Sequence, residues 1–395
     1  MRRYAFEASI VHLLWVAFFF ACNDGYHMSL SQWLQSFFQW DARWYATIAQ
    51  DGHGFLPQTY VFPPLHGWIL GRATDIAFFF ASLISDRASW VLLFYPVAAA
   101  IGLMTFALAN TIFVILSERR WHIDRPRLWL IAVSNPVAYF AFTAYSDCLF
   151  YALLMLTAVL ILITSPRASV WKLPPPTSSQ KRLAKLGLSV NIAILPWVRL
   201  TGFATAAWLV LRRKEAIAAL LSLVAFLLYY WIRTEDPMFF LFVQRVFQMP
   251  EGNGLKGLTT SIEIFSELFT GVLFRGSDFF IYGLNFGILP VLTLAVSVAL
   301  VAWLWRRREF EWALLIAAAT VISHNQAFWR STVRYALPFF PMFYWMLLAQ
   351  TETVAAKLST HSNLTRRIAF ALLIGISFVI QIFYAYQFRA GAWAF

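Results

Sequence analysis

Long apolar runs alternate with short clusters of Lys and Arg along this chain of 395 residues, and this alternation constrains the fold more than any other feature. The basic clusters lie at residues 2–3, 119–127, 167–185, 212–214, 306–308 and 357–367. A helix that crosses a membrane needs about 20 mostly apolar residues, and its cytoplasmic flank is enriched in Lys and Arg. Hydrophobic residues make up 60% of the chain and charged residues 13%. The pattern therefore predicts an all-α polytopic membrane protein.

Threading the apolar runs between the basic clusters predicts about eleven transmembrane helices and a cytoplasmic N-terminus. The predicted spans are 8–22, 90–117, 128–143, 148–164, 186–198, 200–211, 215–233, 279–304, 310–324, 335–350 and 368–387. Residues 66–85 contain Arg72 and Asp75, and a full span there would invert every later loop against the charge bias, so we predict an interfacial helix on the outer side. The outward loops are then 23–89 and 234–278, within a single domain 1–395.

Charge and cysteine usage argue against several classes of protein. The formal net charge of +12 comes from clusters between apolar runs rather than from one polar face, so we predict no nucleic-acid partner. Cys22 and Cys148 lie at the ends of apolar runs and indicate no disulfide framework.

No His or Cys spacing matches a metal site, and we predict neither a metal ion nor a cofactor. Residues 1–22 are predicted to remain as the first span, because no small-residue cleavage site follows them.

Two of the predicted spans are unusually short. Residues 186–198 and 200–211 are each too short to cross a membrane alone, and they meet at Pro196, Arg199 and Gly202. Broken helices of this kind are tolerated where they line a cavity. We therefore predict a pair of short helices whose apex borders a substrate cavity.

Asp41 is the first candidate for chemistry. It follows the first apolar span and lies beside the aromatic residues Trp40, Trp44 and Tyr45, in a chain that otherwise avoids charge. A carboxylate at an accessible boundary can take a proton from an attacking hydroxyl, and the aromatic rings could stack on a sugar or an isoprenoid tail. A helix cap or a solvated boundary acid would also explain Asp41, and an interfacial aromatic belt would also explain the rings.

Other polar residues are predicted on the same outer face, namely His66, Tyr145, Asp147, Arg199 and Arg334. Arginine suits a phosphate leaving group, on which charge develops as the bond to it breaks. A carboxylate combined with arginines therefore suits transfer from a phosphate-linked donor. Structural alternatives stay open: Asp147 could cap a helix or pair with Arg199, Arg334 could be an ordinary boundary residue, and His66 could be a packing residue.

Four motifs, taken in order, resemble the PIG-V family of mannosyltransferases, which belong to the wider GT-C class of membrane glycosyltransferases. They are Trp-Asp-Ala-x5-Ile-Ala-x2-Gly at 40–52, Phe-Pro at 62–63, Asn-Pro followed by Tyr-Ser-acid and Leu-Phe at 135–150, and Arg-x2-Gly at 199–202. The resemblance covers most of the chain up to about residue 210, and later only the stretch 334–338.

The resemblance implies a GT-C-like fold whose extracytoplasmic first loop carries the catalytic acid, here Asp41. It implies a polyprenyl or dolichyl phosphate sugar donor, most often mannose, a lipid or glycolipid acceptor, and inversion at the anomeric carbon. On this basis Arg199 and Arg334 are expected at the donor phosphate. The residues expected around the sugar and acceptor are Trp44, Tyr45, His66, Tyr145 and Asp147.

Some positions depart from the family pattern. Asp147 stands where the family usually has Glu, His66 ends a Pro64-Leu65-His66 stretch in place of an aromatic-Pro pair, and Leu200 and Thr201 replace the usual Ser-Asn before Gly. These departures and the short chain favour a prokaryotic relative. Its place would be the cell membrane, whereas a eukaryotic member would lie in the ER membrane.

Two other functions fit parts of the sequence. A lipid or small-solute transporter would use intramembrane Arg and Asp residues as a coupling site, but it would place them near the midplane in matched halves, whereas Asp41 and Asp147 fall at the outer ends of predicted spans. A noncatalytic subunit that binds polyprenyl lipid would keep the arginines and would not need Asp41.

Overall fold

The fold is helical throughout the described part of the chain. The computed structural model describes residues 2–23, 25–121, 124–164, 176–211, 213–248, 288–324 and 362–391, together with residues 259, 262, 263, 343, 346 and 347. Its α-helices are α1 (Arg2–Cys22), α2 (Leu30–Ser36), α3 (Asp41–Asp51), α4 (Pro64–Ser82), α5 (Trp90–Trp121), α6 (Arg125–Val133), α7 (Asp147–Thr164), α8 (Ser178–Val198), α9 (Ile217–Thr234), α10 (Phe239–Gln248), α11 (Leu289–Arg306), α12 (Phe310–His324) and α13 (Ser362–Arg389). These ranges contain no β-strand.

In the part of the chain that the structure describes, five helical segments are long and apolar enough to cross a membrane, which makes the chain an integral membrane protein. They are Arg2–Cys22, Trp90–Arg119, Asp147–Thr164, Lys214–Thr234 and Phe370–Arg389. Shorter apolar helices cover Leu200–Leu211, Pro290–Arg306 and Phe310–Ser323. Most of the predicted span 335–350, most of the predicted outward loop 234–278 and the start of the predicted span 279–304 lie outside the described residues.

The prediction of a continuous span over 128–143 is wrong. Helix α6 ends at Val133, and a separate 3-10 turn covers Ala138–Phe142. Pro136 explains the break, because proline has no N–H to donate and disfavours helical backbone at the residue before it. With nine residues, α6 is only about 14 Å long at 1.5 Å per residue, roughly half of the hydrocarbon thickness.

The helix observed at the predicted short span 186–198 is longer than that prediction. Helix α8 begins at Ser178, because Thr177 and Gln180 form a reciprocal capping box there, and it ends at Val198 after 21 residues. The predicted break at Arg199 is confirmed, since that residue has extended backbone and is followed by the 3-10 helix Leu200–Leu211.

Polar side chains join the first long helices. The Tyr151 hydroxyl donates to Oδ1 of Asn110 at 3.3 Å, and Nδ2 of Asn110 lies 3.1 Å from Nε2 of His12. Nδ1 of His12 lies 2.8 Å from the carbonyl oxygen of Ala8, so this nitrogen carries the proton and Nε2 accepts. Such interhelical bonds contribute about 0.6 kcal/mol each in membranes. They fix the relative positions of α1, α5 and α7.

The irregular backbone between α6 and α7, residues 134–146, is buried along its whole length. Its Phe142 ring stacks on Trp15 and Phe19, with centroids 5.3 and 5.0 Å away, so the segment lies beside the C-terminal half of α1. Gln381 of α13 donates to the carbonyl oxygens of Val133 and Asn135 at 3.1 and 2.7 Å. Non-helical backbone at membrane depth is tolerated where it is enclosed by protein or lines a cavity.

The segment predicted as the first outward loop folds against this region as α2, α3 and α4. Helix α4 lies so close to α3 that a Cβ at Gly67 would meet Cγ2 of Ile48 at 2.4 Å, and one at Gly71 would meet the Ala49 carbonyl oxygen at 2.5 Å. Residues 64–82 are not among the five candidate spans, and their Arg72–Asp75 ion pair is exposed. The region predicted as an interfacial helix is thus a helix packed against α3.

Candidate functional site

Four consecutive residues that lead into α7, Ala144 to Asp147, contact residues from three other parts of the chain. We call these four residues the hub segment. Each has at most 2% of its surface exposed. The segment therefore sets the relative positions of most of the predicted site residues.

Asp41 is the first residue of α3, and its backbone N–H donates to the Tyr145 hydroxyl at 3.2 Å. The side chains of Ala42, Tyr45 and Ile48 form the buried face of the helix, and Asp41 itself is half-buried at the edge of that face. A carboxylate in the first helical turn is stabilised by the helix dipole.

The residue before Asp41 has strained backbone. Trp40 has a φ of 53°, in the left-handed region that a bulky aromatic residue rarely adopts. Strain of this type costs about 1–3 kcal/mol and persists only where the surrounding structure enforces it. The turn that aims the first residue of α3 at the hub segment is thus held by tertiary contacts rather than by local preference.

Tyr45 and His66 contact the hub segment and each other. The Tyr45 hydroxyl lies 2.9 Å from Oγ of Ser146, and the two aromatic rings of Tyr45 and His66 meet edge to face at 5.2 Å. Nε2 of His66 lies 3.0 Å from the carbonyl oxygen of Ala144, so Nε2 carries the proton and donates. Burial lowers the pKa of His66 to about 4, with nearby Asp147 opposing the shift, so the imidazole is neutral at physiological pH.

Asp147 and Arg199 form an ion pair, which is the structural alternative that the sequence left open. Asp147 is the first residue of α7, and Arg199 lies at the break between α8 and the following 3-10 helix. Their side chains are 1% and 8% exposed. A buried pair of this kind is costly to break from one side, because the remaining charge is left without compensation.

Close backbone packing holds the Arg199 break in place. The N–H of Gly202 donates to the Arg199 carbonyl oxygen at 2.8 Å. A Cβ at Gly202 would lie 2.4 Å from the carbonyl carbon of Leu195 and 2.6 Å from the backbone nitrogen of Pro196. The glycine of the Arg-x2-Gly motif is therefore required for the chain to fold back on α8.

The remaining predicted residues are placed differently. Trp44 is half-buried on α3, next to Tyr45. Arg334 lies outside the described residues. Asp41, Tyr45, His66, Tyr145, Asp147 and Arg199 are all joined to the hub segment or belong to it.

Sequence reasoning missed two residues that support the site. Ser146 was noted only as part of a motif, yet its hydroxyl meets Tyr45. Gln381 accepts from the Trp15 indole at 3.0 Å while donating to the backbone before the hub segment. An amide in the middle of the apolar C-terminal span was the available signal, because buried polar groups in membranes need partners.

Within the ranges that the structure describes, no group of three or more His, Cys, Asp or Glu side chains is arranged to hold a metal ion.

Comparison with known proteins gives one structural likeness. No protein-family model matches the sequence, and no curated protein matches it. The oligosaccharyltransferase of Archaeoglobus fulgidus, solved in its apo form, is similar in structure with a TM-score of 0.48 and 14% sequence identity. The similarity covers 98% of this chain and 56% of that protein, so this chain spans little more than half of its length.

Proposed function

We propose that this protein is a membrane glycosyltransferase of the GT-C class that moves a hexose, mannose by its resemblance to the PIG-V family, from a polyprenyl or dolichyl phosphate to a hydroxyl of a lipid or glycolipid acceptor. The active site would face the extracytoplasmic side, with the N-terminus in the cytoplasm. The observation that carries the proposal is the hub segment, which joins the first residue of α3, Asp41, to the buried pair Asp147–Arg199.

In this proposal Asp41 acts as general base. The acceptor oxygen attacks the anomeric carbon from the face opposite the phosphate, and its proton passes to the Asp41 carboxylate. The bond between the anomeric carbon and the phosphate oxygen breaks, and its electron pair leaves with the phosphate. A single displacement of this kind inverts the anomeric configuration. General-base help contributes about 10²- to 10⁴-fold to such a step.

Arg199 and Arg334 are proposed to bind the donor phosphate. One terminal nitrogen of the Arg199 guanidinium bonds to Asp147. Asp147 then fixes the orientation of the arginine, and donors fixed in advance stabilise the negative charge that develops on the leaving phosphate. Arg334 would supply the second positive charge.

The sugar and acceptor pocket is proposed to involve Trp44, Tyr45, His66, Tyr145 and Asp147. Trp44 is only half-buried, so its indole can offer a face for stacking. Tyr45, His66 and Tyr145 are at most 4% exposed. In this proposal they form the buried wall of the pocket and keep the hub segment in position.

The test is transfer of radiolabelled mannose to endogenous lipid in membranes that contain the protein. We expect labelled glycolipid from polyprenyl-phosphate mannose, none from a nucleotide-linked mannose once endogenous lipid-linked sugar synthesis is blocked, and none in membranes that lack the protein. Label transferred directly from the nucleotide sugar, or equal labelling without the protein, would contradict the proposal.

A further inference from the structure

A long groove runs along α1, next to its basic N-terminal end. Its volume is about 900 Å³, in the upper range for pockets that hold small ligands. The apolar side chains that line it include Phe6, Ile10, Leu14, Phe18, Leu130 and Phe378. The site described above lies beyond the other end of α1, which is roughly 30 Å long at 1.5 Å per residue.

The groove lies between α1, α6 and α13. Helix α6 runs beside α1 only as far as Val133, where the chain turns into the protein interior. Beyond that point α13 lies beside α1, where the rings of Phe18 and Phe378 are 5.8 Å apart and Phe378 lines the groove. Phe6 and Leu14 are 67% and 65% exposed, and in a transmembrane helix such side chains face lipid.

The polar end of the groove is an ordered set of ion pairs. One oxygen of Glu7 accepts from Arg3 at 2.9 Å and from Arg125 at 3.0 Å, and the other accepts from the Trp129 indole at 3.2 Å. Glu118 accepts from Arg125 at 3.0 Å and from the Tyr4 hydroxyl at 2.6 Å. Asp124, the third carboxylate at this end of the groove, accepts from Arg127 at 3.2 Å. All three carboxylates are thus supplied with donors.

Arg3 lies on the outer side of the same set. Its side chain is 74% exposed, and its bond to Glu7 uses Nε rather than a terminal nitrogen. The polar end of the groove therefore presents the Arg3 guanidinium to the exterior while the carboxylates of Glu7, Glu118 and Asp124 are already engaged. A negatively charged oxygen group complements this end, whereas a cationic group does not.

We propose that the groove binds one anionic phospholipid, with an acyl chain along α1 and α6 and its phosphate at Arg3. The charge bias of the sequence assigns this end to the cytoplasmic leaflet, so the site is distinct from the proposed transfer site and independent of it.

Binding can be tested on the full-length purified protein with phosphatidylglycerol and phosphatidylcholine as probes, by native mass spectrometry and by the lipid-induced rise in melting temperature. Leu14→Trp fills the groove, and Leu13→Trp is its matched control, because Leu13 is 69% exposed on the same helix and does not line the groove. Leu130→Trp fills the groove from the α6 side if Leu14→Trp fails to fold.

We expect phosphatidylglycerol to bind the wild type and Leu13→Trp more tightly than phosphatidylcholine does, and to bind the groove-filling variants no better than phosphatidylcholine. Arg3→Gln should reduce the preference for phosphatidylglycerol by about fivefold, as for a partly exposed charge-assisted contact, whereas Arg2→Gln should leave it in place. Equal affinity of the two lipids for the wild type, or equal binding by Leu13→Trp and Leu14→Trp, would overturn the proposal.

Discussion

At the residue scale, Asp147 and Arg199 are the pair on which the site depends most. Both side chains are buried, and the opposite charge of each partner offsets the free-energy cost of removing the other from water. The Arg72–Asp75 pair on α4 offers a natural comparison, because its side chains are 86% and 50% exposed. Water screens that pair, and exposed pairs of this kind contribute at most about 1 kcal/mol.

Asp147→Asn and Arg199→Gln are each expected to destabilise the protein by about 3–5 kcal/mol, because each removes one charge of a buried ion pair and keeps the other. The double variant should cost less than the sum of the single variants, since both charges are then gone. Asp75→Asn should change stability by less than about 1 kcal/mol. Reversible unfolding in mixed detergent micelles measures all four values. Additive costs for the two buried changes would show that these side chains do not interact.

At the element scale, the fold-back between α8 and the 3-10 helix Leu200–Leu211 depends on a close approach at Gly202. The structure offers a control in the same helical hairpin. Gly187 lies within α8, and a Cβ there would meet only the methyl carbons of Leu160 at 3.5 and 3.8 Å, which is ordinary contact. The two glycines therefore differ in the space that surrounds them.

Gly202→Ala is expected to lower the melting temperature and to displace Arg199, because the added methyl would overlap the backbone of Leu195 and Pro196. A clash with backbone that cannot move aside costs about 1–3 kcal/mol. Gly187→Ala should be neutral or stabilising by up to about 1 kcal/mol, since alanine favours helix over glycine. Melting curves of the two variants give the comparison. An unchanged melting temperature for Gly202→Ala would argue against the close fold-back.

At the scale of the whole molecule, much of the architecture could be predicted from the sequence, because membrane helices are set by local composition. The first span, the long helix after residue 90, the span after Asp147 and the break at Arg199 all follow from apolar runs and flanking charge. The end of α6 at Val133 was predictable from Pro136 but was hidden by the apolar residues that continue beyond it.

The sequence was enough to predict which residues belong to the candidate site, but not which of their side chains contact each other. Asp41, Tyr145, Asp147 and Arg199 were singled out from charge and motif, and the structure joins them through the hub segment. Which side chains meet across 100 residues of sequence, as Tyr45 meets Ser146, depends on tertiary packing that local patterns do not encode. The structural support from Gln381 was missed for the same reason.

The central claim is that Asp41 is the base in a glycosyl transfer, and an exchange of one atom tests it. Asp41→Asn keeps the shape of the side chain but cannot accept the acceptor proton. Asp51→Asn, at the exposed last residue of the same helix, is the matched control. We expect the initial rate of mannose transfer from polyprenyl-phosphate mannose to fall by about 10²-fold or more in Asp41→Asn and to stay at the wild-type level in Asp51→Asn. A wild-type rate for folded, membrane-inserted Asp41→Asn would contradict the claim.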